Sequence, residues 1–544
     1  MQSRTPSPRQ DVCVVGAGPA GALVAHRLAS AGHDVVVLEA GPRFDFDARP
    51  EQMERAIRPA HDDLSIWEMG GERDEYSTGG EQFYPLNANR VKGVGGSTLH
   101  WQGMVPRLHP TDFAGDHPND DPAWPIDYEE LRPYYAEAES ALGVAGASDN
   151  PFGPPRRTPF PMSAFEPSYS DSLFAPACER LGITTHSVPN ARNSEPYDDR
   201  STCVGYGTCQ PVCPSGAKYS ADTHVQKAER AGARVVDRAP VQRLESGDDS
   251  RRIDAAVYAT PDGTEHRQRA RQFVLAAGGI EIPRLLLLSR SPDHPDGLAN
   301  SSGAVGRYFI EHLFAGAGGT IDEPTRQNHV GFLTSESHQF YDEPGQAVTR
   351  DDETVVPAAD GPLSPIKLEF LNYAGPSPVE MALDAETWGD DLLDDLRAGY
   401  GNHVAMGGLV GQPPRAENRI TLDPSTTDDH GNPVPEIHWS WGERVLRTIE
   451  RANRIQHAVL SELGVDIGWT AGPDSTGPAA HHMGTTRMGT DPAASVVDPD
   501  LRTHDLDNCW IASSSVFPTA GSMNPTLTIA ALALRCGDAL DERL

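Results

Sequence analysis

The chain has 544 residues, with 45 Lys+Arg against 78 Asp+Glu and a formal net charge of −33. Apolar residues make up 38% and charged residues 23%, so a sizeable core can form and wholesale disorder is excluded. At roughly 150 residues per domain, the length suggests about two to four domains, or two with large insertions.

No apolar run approaches the eighteen or more residues of a membrane-spanning helix; the best candidate, 527–534, is far too short. Residues 1–10 are polar and Pro-rich and lack the apolar stretch of a secretory signal. A soluble protein is expected, cytoplasmic or peripheral to a membrane through a partner. The carboxylates are spread along the chain rather than gathered in a tail, and their charge repels phosphate backbones, which argues against a nucleic-acid partner. Lys92, Lys218, Lys227 and Lys367 are the only lysines; every other basic residue is arginine. Many carboxylates with almost no lysine is the composition expected of a halophilic protein, whose self-repulsion is screened by salt.

In chain order, residues 11–15 form a short apolar strand that breaks into Gly16-Ala17-Gly18-Pro19-Ala20-Gly21. A helix to about Ala31 and a second strand over 34–39 complete a βαβ unit. Residues 45–90 are irregular and end at a second glycine cluster, Gly93-Val94-Gly95-Gly96-Ser97-Thr98. Residues 145–200, rich in Pro, Ser and Asn, read as a long excursion. A buried strand ending in a glycine turn is expected over 272–279, with a helix starting in 282–288. From 313 to 477 short strands lie between turns, among them Ile366–Leu371 and His403–Val410. Val445, Ile449, Ala452, Val459 and Leu463 share one helix face. After 478 the chain is Gly- and Ser-rich, then helical from Pro525 to about Leu540. This order suits a nucleotide-binding domain of residues 1–312 and 478–544, interrupted by a β-rich substrate domain over 313–477.

Gly16-x-Gly18-x-x-Gly21 stands between strand and helix, with Glu39 at the end of the second strand. Gly16 permits the tight turn, Gly18 lets the backbone approach a pyrophosphate, and Gly21 lets helix and strand pack closely. The helix N-terminus offers free N–H groups to the anion, and Glu39 can accept from both ribose hydroxyls while repelling a 2′-phosphate. Dinucleotide binding is expected; this motif alone does not separate FAD from NAD.

Three further segments do. They are Gly93-Val94-Gly95-Gly96-Ser97-Thr98-Leu99-His100-Trp101, then His481-His482-Met483-Gly484-Thr485-Thr486-Arg487-Met488-Gly489, then 515–519 leading to Asn524-Pro525-Thr526-Leu527-Thr528. Their order and spacing resemble the glucose–methanol–choline (GMC) family of FAD-dependent oxidoreductases. The resemblance runs from residue 11 to the C-terminus and includes Asn418–Asp423 as a substrate-domain strand. It implies a Rossmann-like FAD-binding domain with a substrate domain inserted on an antiparallel sheet. It also implies oxidation of an alcohol, a hydride passing from carbon to flavin N5 while a histidine takes the hydroxyl proton.

On this resemblance His481 is the base and Asn524 its partner, while His482 points the other way in an extended segment. Asn524 and Pro525 also read as an ordinary helix start, aimed with Thr526 at the flavin pyrimidine. Gly95, Gly96 and Ser97 fall to the cofactor. His100-Trp101 resembles members that bond a histidine to the flavin 8α-methyl carbon, and two readings stand, a covalent link or a histidine packed beside the ring. Ser513 departs from the acidic residue many relatives carry there, so that contact is not carried over.

Cys203-x5-Cys209-x3-Cys213-Pro214 places three thiols in one loop, the last followed by proline. Three ligands without a fourth suit a 3Fe–4S cluster. The segment through 224–229 resembles the catalytic subunit of bacterial glucose, fructose, sorbitol and gluconate dehydrogenases, in which such a cluster takes electrons from FAD. A Cys₃His zinc site using His224, and one disulfide plus a free thiol, are the competing readings. The leading expectation is a dehydrogenase of a sugar, polyol or sugar acid that relays electrons through the cluster to a cytochrome or other acceptor protein, with a small accessory subunit. An O₂-reducing oxidase with structural cysteines is the alternative, and a catalytically silent flavoprotein subunit the third reading.

Overall fold

The computed structural model describes residues 4–58, 63–115, 121–325, 331–372 and 375–544. Gln10–Val15, from Val12 onward, and Val35–Leu38 are apolar, Val-rich and buried, the composition of parallel strands covered on both faces. They pair in parallel, Val12 opposite Val35 and Val15 opposite Leu38. Around them a seven-stranded sheet runs in the order Arg234–Val236, Val35–Leu38, Gln10–Val15, Glu265–Leu275, Ile253–Ala259, Val241–Ser246, and Cys509–Ile511 also pairs with Glu265–Leu275. That last pairing, parallel and in register with residues 273–275, returns the C-terminal segment to the first sheet.

The helix Pro19–Ser30 begins with Pro at its first turn, where the missing N–H costs nothing. Its Ala- and Gly-rich face packs against helices Thr526–Asp541 and Asp222–Arg230. The predicted N-cap at Asn524 does not form: the last helix starts at Thr526 behind Pro525 and has no side-chain cap. The Asn524 side chain is used elsewhere.

A second sheet of eight strands is antiparallel throughout. Its order is Asp466–Ala471, Gly316–Thr320, His403–Val410, Ile366–Leu371, Leu333–Ser337, His186–Ser187, with Leu313–Phe314 and Gly477–Pro478 beside it. Helix Glu443–Glu462 lies over it, burying Val445, Ile449, Ala452 and Val459, while Leu463 is the residue that ends it. Residues 145–200 contribute His186–Ser187 to this sheet and Tyr169–Arg180 to its packing. Arg419–Thr427, which contains most of the 418–423 motif, pairs instead with Pro433–Trp439, and that strand with Ser77–Gly80, in a separate three-stranded sheet. Among the described residues no helix is long and apolar enough to cross a membrane.

Candidate active site

A cleft of about 530 Å³ lies where the strand ends of the first sheet meet the second sheet. Its walls include Gly16, Gly18, Glu39, Gly96, Ser97 and His100 from the N-terminal half, and His481, Asn524, Pro525 and Thr526 from the C-terminal segment. Gly21 and Gly95 stand behind that wall and shape it. Gly16 turns with φ +105°, and a Cβ there would stand 2.7 Å from the Ala276 carbonyl oxygen. One on Gly21 would stand 2.0 Å from the Gly16 carbonyl oxygen, so strand and helix touch only because both are glycine. On Gly18 it would meet no protein atom within 4 Å and would point into open space.

The second glycine cluster is bound onto the first. Gly95 N–H donates to the Ala17 carbonyl at 3.0 Å, and a Cβ on Gly96 would stand 2.9 Å from Gly18 Cα. Glu39 accepts from the backbone N–H of Ala17 at 2.8 Å and of Gly41 at 2.9 Å, which fixes the second strand end to the glycine turn. Burial raises its pKa against those bonds. These features fit FAD: a glycine-lined channel, a helix N-terminus and a carboxylate held at the strand end.

At the other end of the cleft His481 and Asn524 face each other, His481 Nε2 standing 3.4 Å from Asn524 Nδ2. The opposite ring nitrogen, His481 Nδ1, is 2.9 Å from His312 Nδ1. His481 N–H donates to Glu311 Oε1 at 2.7 Å, and Glu311 also accepts from His312 N–H and the Tyr84 hydroxyl. Burial pushes the Glu311 carboxyl up to about 7, although those donors favour its charged form. Burial first, then His312 and Lys367, holds the His481 imidazole well below its ordinary value. A neutral imidazole at neutral pH can accept a proton.

His482 turns to the other side, its ring edge-on to Tyr84 at 5.7 Å and its carbonyl accepting from Ser514 Oγ. Burial takes it down to about 3. Ser513 accepts from Ser515 N–H and lines the cleft. His100 ends the short turn Gly96–Leu99, and burial with the nearby Lys218 ammonium brings it down to about 4.

The thiol loop abuts this cleft. Gln210 lines it and accepts from Gln102 Nε2 at 3.0 Å. Lys218, almost fully buried, donates to the carbonyls of Cys209, Leu99 and Trp101, joining the loop to the His100 segment. All seven cysteines are unpaired, so the disulfide reading finds no bridge here. Among the described residues the sulfurs of Cys203, Cys209 and Cys213 do not all lie within 4.8 Å of one another. A tetrahedral zinc with Zn–S bonds of about 2.3 Å would need sulfurs about 3.8 Å apart. His224 instead pairs with the Tyr219 hydroxyl at 3.0 Å and packs edge-on to His26.

Cation chemistry around the thiols favours an anionic group. Arg192 is buried and reaches Cys209 Sγ at 3.9 Å, and among the described residues its Nε and one terminal nitrogen have no hydrogen-bond partner. Cys213 Sγ accepts from Lys218 N–H; burial pushes this thiol up, but the Lys218 ammonium and amide bring it below its ordinary value. Three thiolates holding an iron–sulfur cluster would supply the negative charge these buried cations lack.

Sequence reasoning missed Glu311, His312 and Lys367. For Lys367 a signal existed. It is one of four lysines, and with Glu369 it interrupts the otherwise apolar, fully buried strand Ile366–Leu371.

Residues 78–314 and 414–533 match the family profiles described as GMC oxidoreductase, and residues 11–49 match that of FAD dependent oxidoreductase. The chain is 33% identical to the fructose dehydrogenase large subunit of Gluconobacter japonicus, over 97% of each chain. It is 29% identical to 2-methyl-1,2-propanediol dehydrogenase of Mycolicibacterium austroafricanum, over 99% of this chain and 96% of that one. Pyridoxine 4-oxidase from Mesorbium loti has a similar fold, with a TM-score of 0.62 at 19% identity, covering 98% of this chain and 99% of that one.

Proposed function

The chain belongs to the GMC oxidoreductase family, dehydrogenases and oxidases acting on CH–OH groups, and from that premise we propose that it is an FAD-dependent dehydrogenase of a sugar, polyol or sugar acid. The observation that carries the reading is the His481–Asn524 pair, set across 3.4 Å at the end of the glycine-lined cleft. Its likeness to a fructose dehydrogenase over nearly the whole chain supports the substrate class. FAD, when bound, supplies the acceptor for the hydride that leaves the substrate carbon.

The chain's own residues supply the rest. A substrate hydroxyl in the cleft that faces both Asn524 and His481 can receive the Asn524 Nδ2–H and give its proton to His481 Nε2. The amide then steadies the oxygen while negative charge grows on it, and the imidazole takes the proton at the same stage. Gly16, Gly18, Gly21, Gly95, Gly96, Ser97 and Glu39 would hold the dinucleotide, with Pro525 and Thr526 at its flavin end. His100, neutral and beside the cleft, is suited to a bond with the flavin.

Electrons are proposed to leave through a 3Fe–4S cluster held by Cys203, Cys209 and Cys213. The buried Arg192 and Lys218 support an anionic group there, and Lys218 joins the thiol loop to the Leu99 and Trp101 carbonyls on either side of His100. The acceptor would be a cytochrome or other electron-acceptor protein, with a small accessory subunit; the fructose dehydrogenase relative is itself named a large subunit. Iron and flavin assays on the purified protein test this, together with anaerobic flavin bleaching by D-fructose, D-glucose, sorbitol and gluconate. Cys209→Ser is expected to lose the iron, keep the bleaching and lose turnover with a cytochrome acceptor. An iron-free wild type, or normal cytochrome turnover in Cys209→Ser, overturns the relay and favours an oxidase with structural cysteines.

A further inference from the structure

Lys367 lies on the central strand Ile366–Leu371 and is fully buried. Its ammonium donates to Asn524 Oδ1 at 2.6 Å and forms ion pairs with Glu369 at 2.8 Å and Glu336 at 3.5 Å. Burial alone would lower its pKa, but the Glu369 and Glu336 carboxylates hold it above the ordinary lysine value, so the charge persists. Glu336 is in turn engaged by His338 Nε2 at 2.9 Å, and His338 N–H donates to His186 Nε2 at 3.2 Å. His186, Glu336 and His338 are close enough to hold a metal ion. Glu336 Oε1 is instead taken by His338 Nε2, His186 Nε2 is taken by the His338 backbone N–H, and an ammonium already stands at the carboxylate. Glu336, held by His338, is the far anchor of Lys367.

Donor chemistry then propagates in one direction. An ammonium has three donors and no acceptor, so the Asn524 atom facing it must be the amide oxygen. Asn524 therefore turns its NH₂ to the cleft and to His481 Nε2. Facing a donor, Nε2 presents its lone pair, and the single proton of a neutral imidazole sits on Nδ1. There it is donated to His312 Nδ1 at 2.9 Å, which must accept it. One buried cation thus orders an amide and two histidines.

Resting on the reading of His481 as base, we infer that Lys367 is a positioning residue. It locks Asn524 with its amide N–H toward the substrate oxygen and His481 with a free Nε2 to receive the proton. Without it, the Asn524 amide can turn over, presenting Oδ1 to an oxygen that is becoming negative and favouring a protonated Nε2. The groups facing His481 are His312, Lys367, His482, Asn524 and Glu311, and the first three of these hold its pKa down. Removing Lys367 also removes one of these, so both effects move the His481 pKa upward.

The test uses Lys367→Met in the FAD-loaded protein, and Lys367→Met with Glu369→Gln, which avoids a buried unpaired carboxylate if the single variant folds poorly. With the fastest sugar of the panel, kcat for anaerobic flavin reduction is expected to fall at least about tenfold, with KM within about twofold. A readout independent of turnover is carbethoxylation of His481 by diethyl pyrocarbonate against pH, mapped by peptide mass, since only the unprotonated ring reacts. Its midpoint is expected to rise by about one pH unit. Flavin-loaded, folded variants with kcat within twofold of wild type and an unmoved midpoint overturn the inference. His481→Ala separates the two readings. If it too reacts at the wild-type rate, the base assignment falls; if it is slow while Lys367→Met is fast, only the role of Lys367 falls.

Discussion

At the scale of single residues, the environment of His481 makes a sharp expectation. Its pKa is held well below the ordinary histidine value by burial, His312 and Lys367, so the ring is neutral throughout the neutral range. The acid limb of kcat/KM, where a protonated base stops working, should therefore lie below about pH 6.5. His481→Ala should slow substrate-dependent bleaching by about a hundredfold or more. His482→Ala should do far less, because that ring faces Tyr84 and Phe309 rather than Asn524. A His482→Ala loss equal to that of His481→Ala would reverse the assignment. For His100, flavin remaining on the polypeptide after acid precipitation, and its release in His100→Ala, would mark the covalent link. Complete release from the wild type would leave His100 a neighbour of the ring.

At the scale of elements, the glycine turn separates folding from ligand binding. A Cβ at residue 21 would press on the Gly16 carbonyl at 2.0 Å, an approach backbone atoms cannot relieve without parting helix from strand. Gly21→Ala is expected to lower the melting temperature and the flavin content together. A Cβ at residue 18 would meet no protein atom within 4 Å, so Gly18→Ala should leave the flavin-free melting temperature unchanged. It would still occupy space intended for a pyrophosphate and weaken FAD binding. Flavin titration of the two variants checks the contrast; full FAD affinity in Gly18→Ala would remove the pyrophosphate from that channel. The last helix shows why an element's start matters. It begins at Thr526 with no side-chain cap, which leaves the Asn524 amide free to bridge Lys367 and His481.

At the scale of the molecule, a net charge of −33 is a self-repulsion that salt relieves. Going from about 0.01 M to 1 M ionic strength shortens the Debye length from about 30 Å to 3 Å. The melting temperature should rise across that range, and a flat or falling trend would count against a protein adapted to high salt. Buried pairs such as Arg107–Glu139 and Lys367–Glu369 are shielded from solvent ions and should not weaken in step. The cleft itself is a whole-molecule feature. Its dinucleotide end is built on the parallel strands of the first sheet, while His312 and Lys367 belong to the antiparallel side and His481 and Asn524 to the returning C-terminal segment.

The sequence by itself determined the βαβ unit, because glycines at 16, 18 and 21 between apolar strands act locally and within about thirty residues. It also determined the family, through motifs whose order survives along the chain, and the strands Ile366–Leu371 and His403–Val410 were legible from their apolar runs. Tertiary structure alone decided that residues 186–187 pair into the antiparallel sheet and that Arg419–Thr427 sits in a smaller sheet with Ser77–Gly80. Strand partners so far apart along the chain leave no periodicity to read. It alone decided, too, that Lys367 bonds Asn524 across 157 positions and that His312 meets His481 across 169. Hydrophobic patterning reports which face of an element is buried. Which buried polar atom finds which partner is fixed only when the two sheets close on one another, and the polarity of this site is set there.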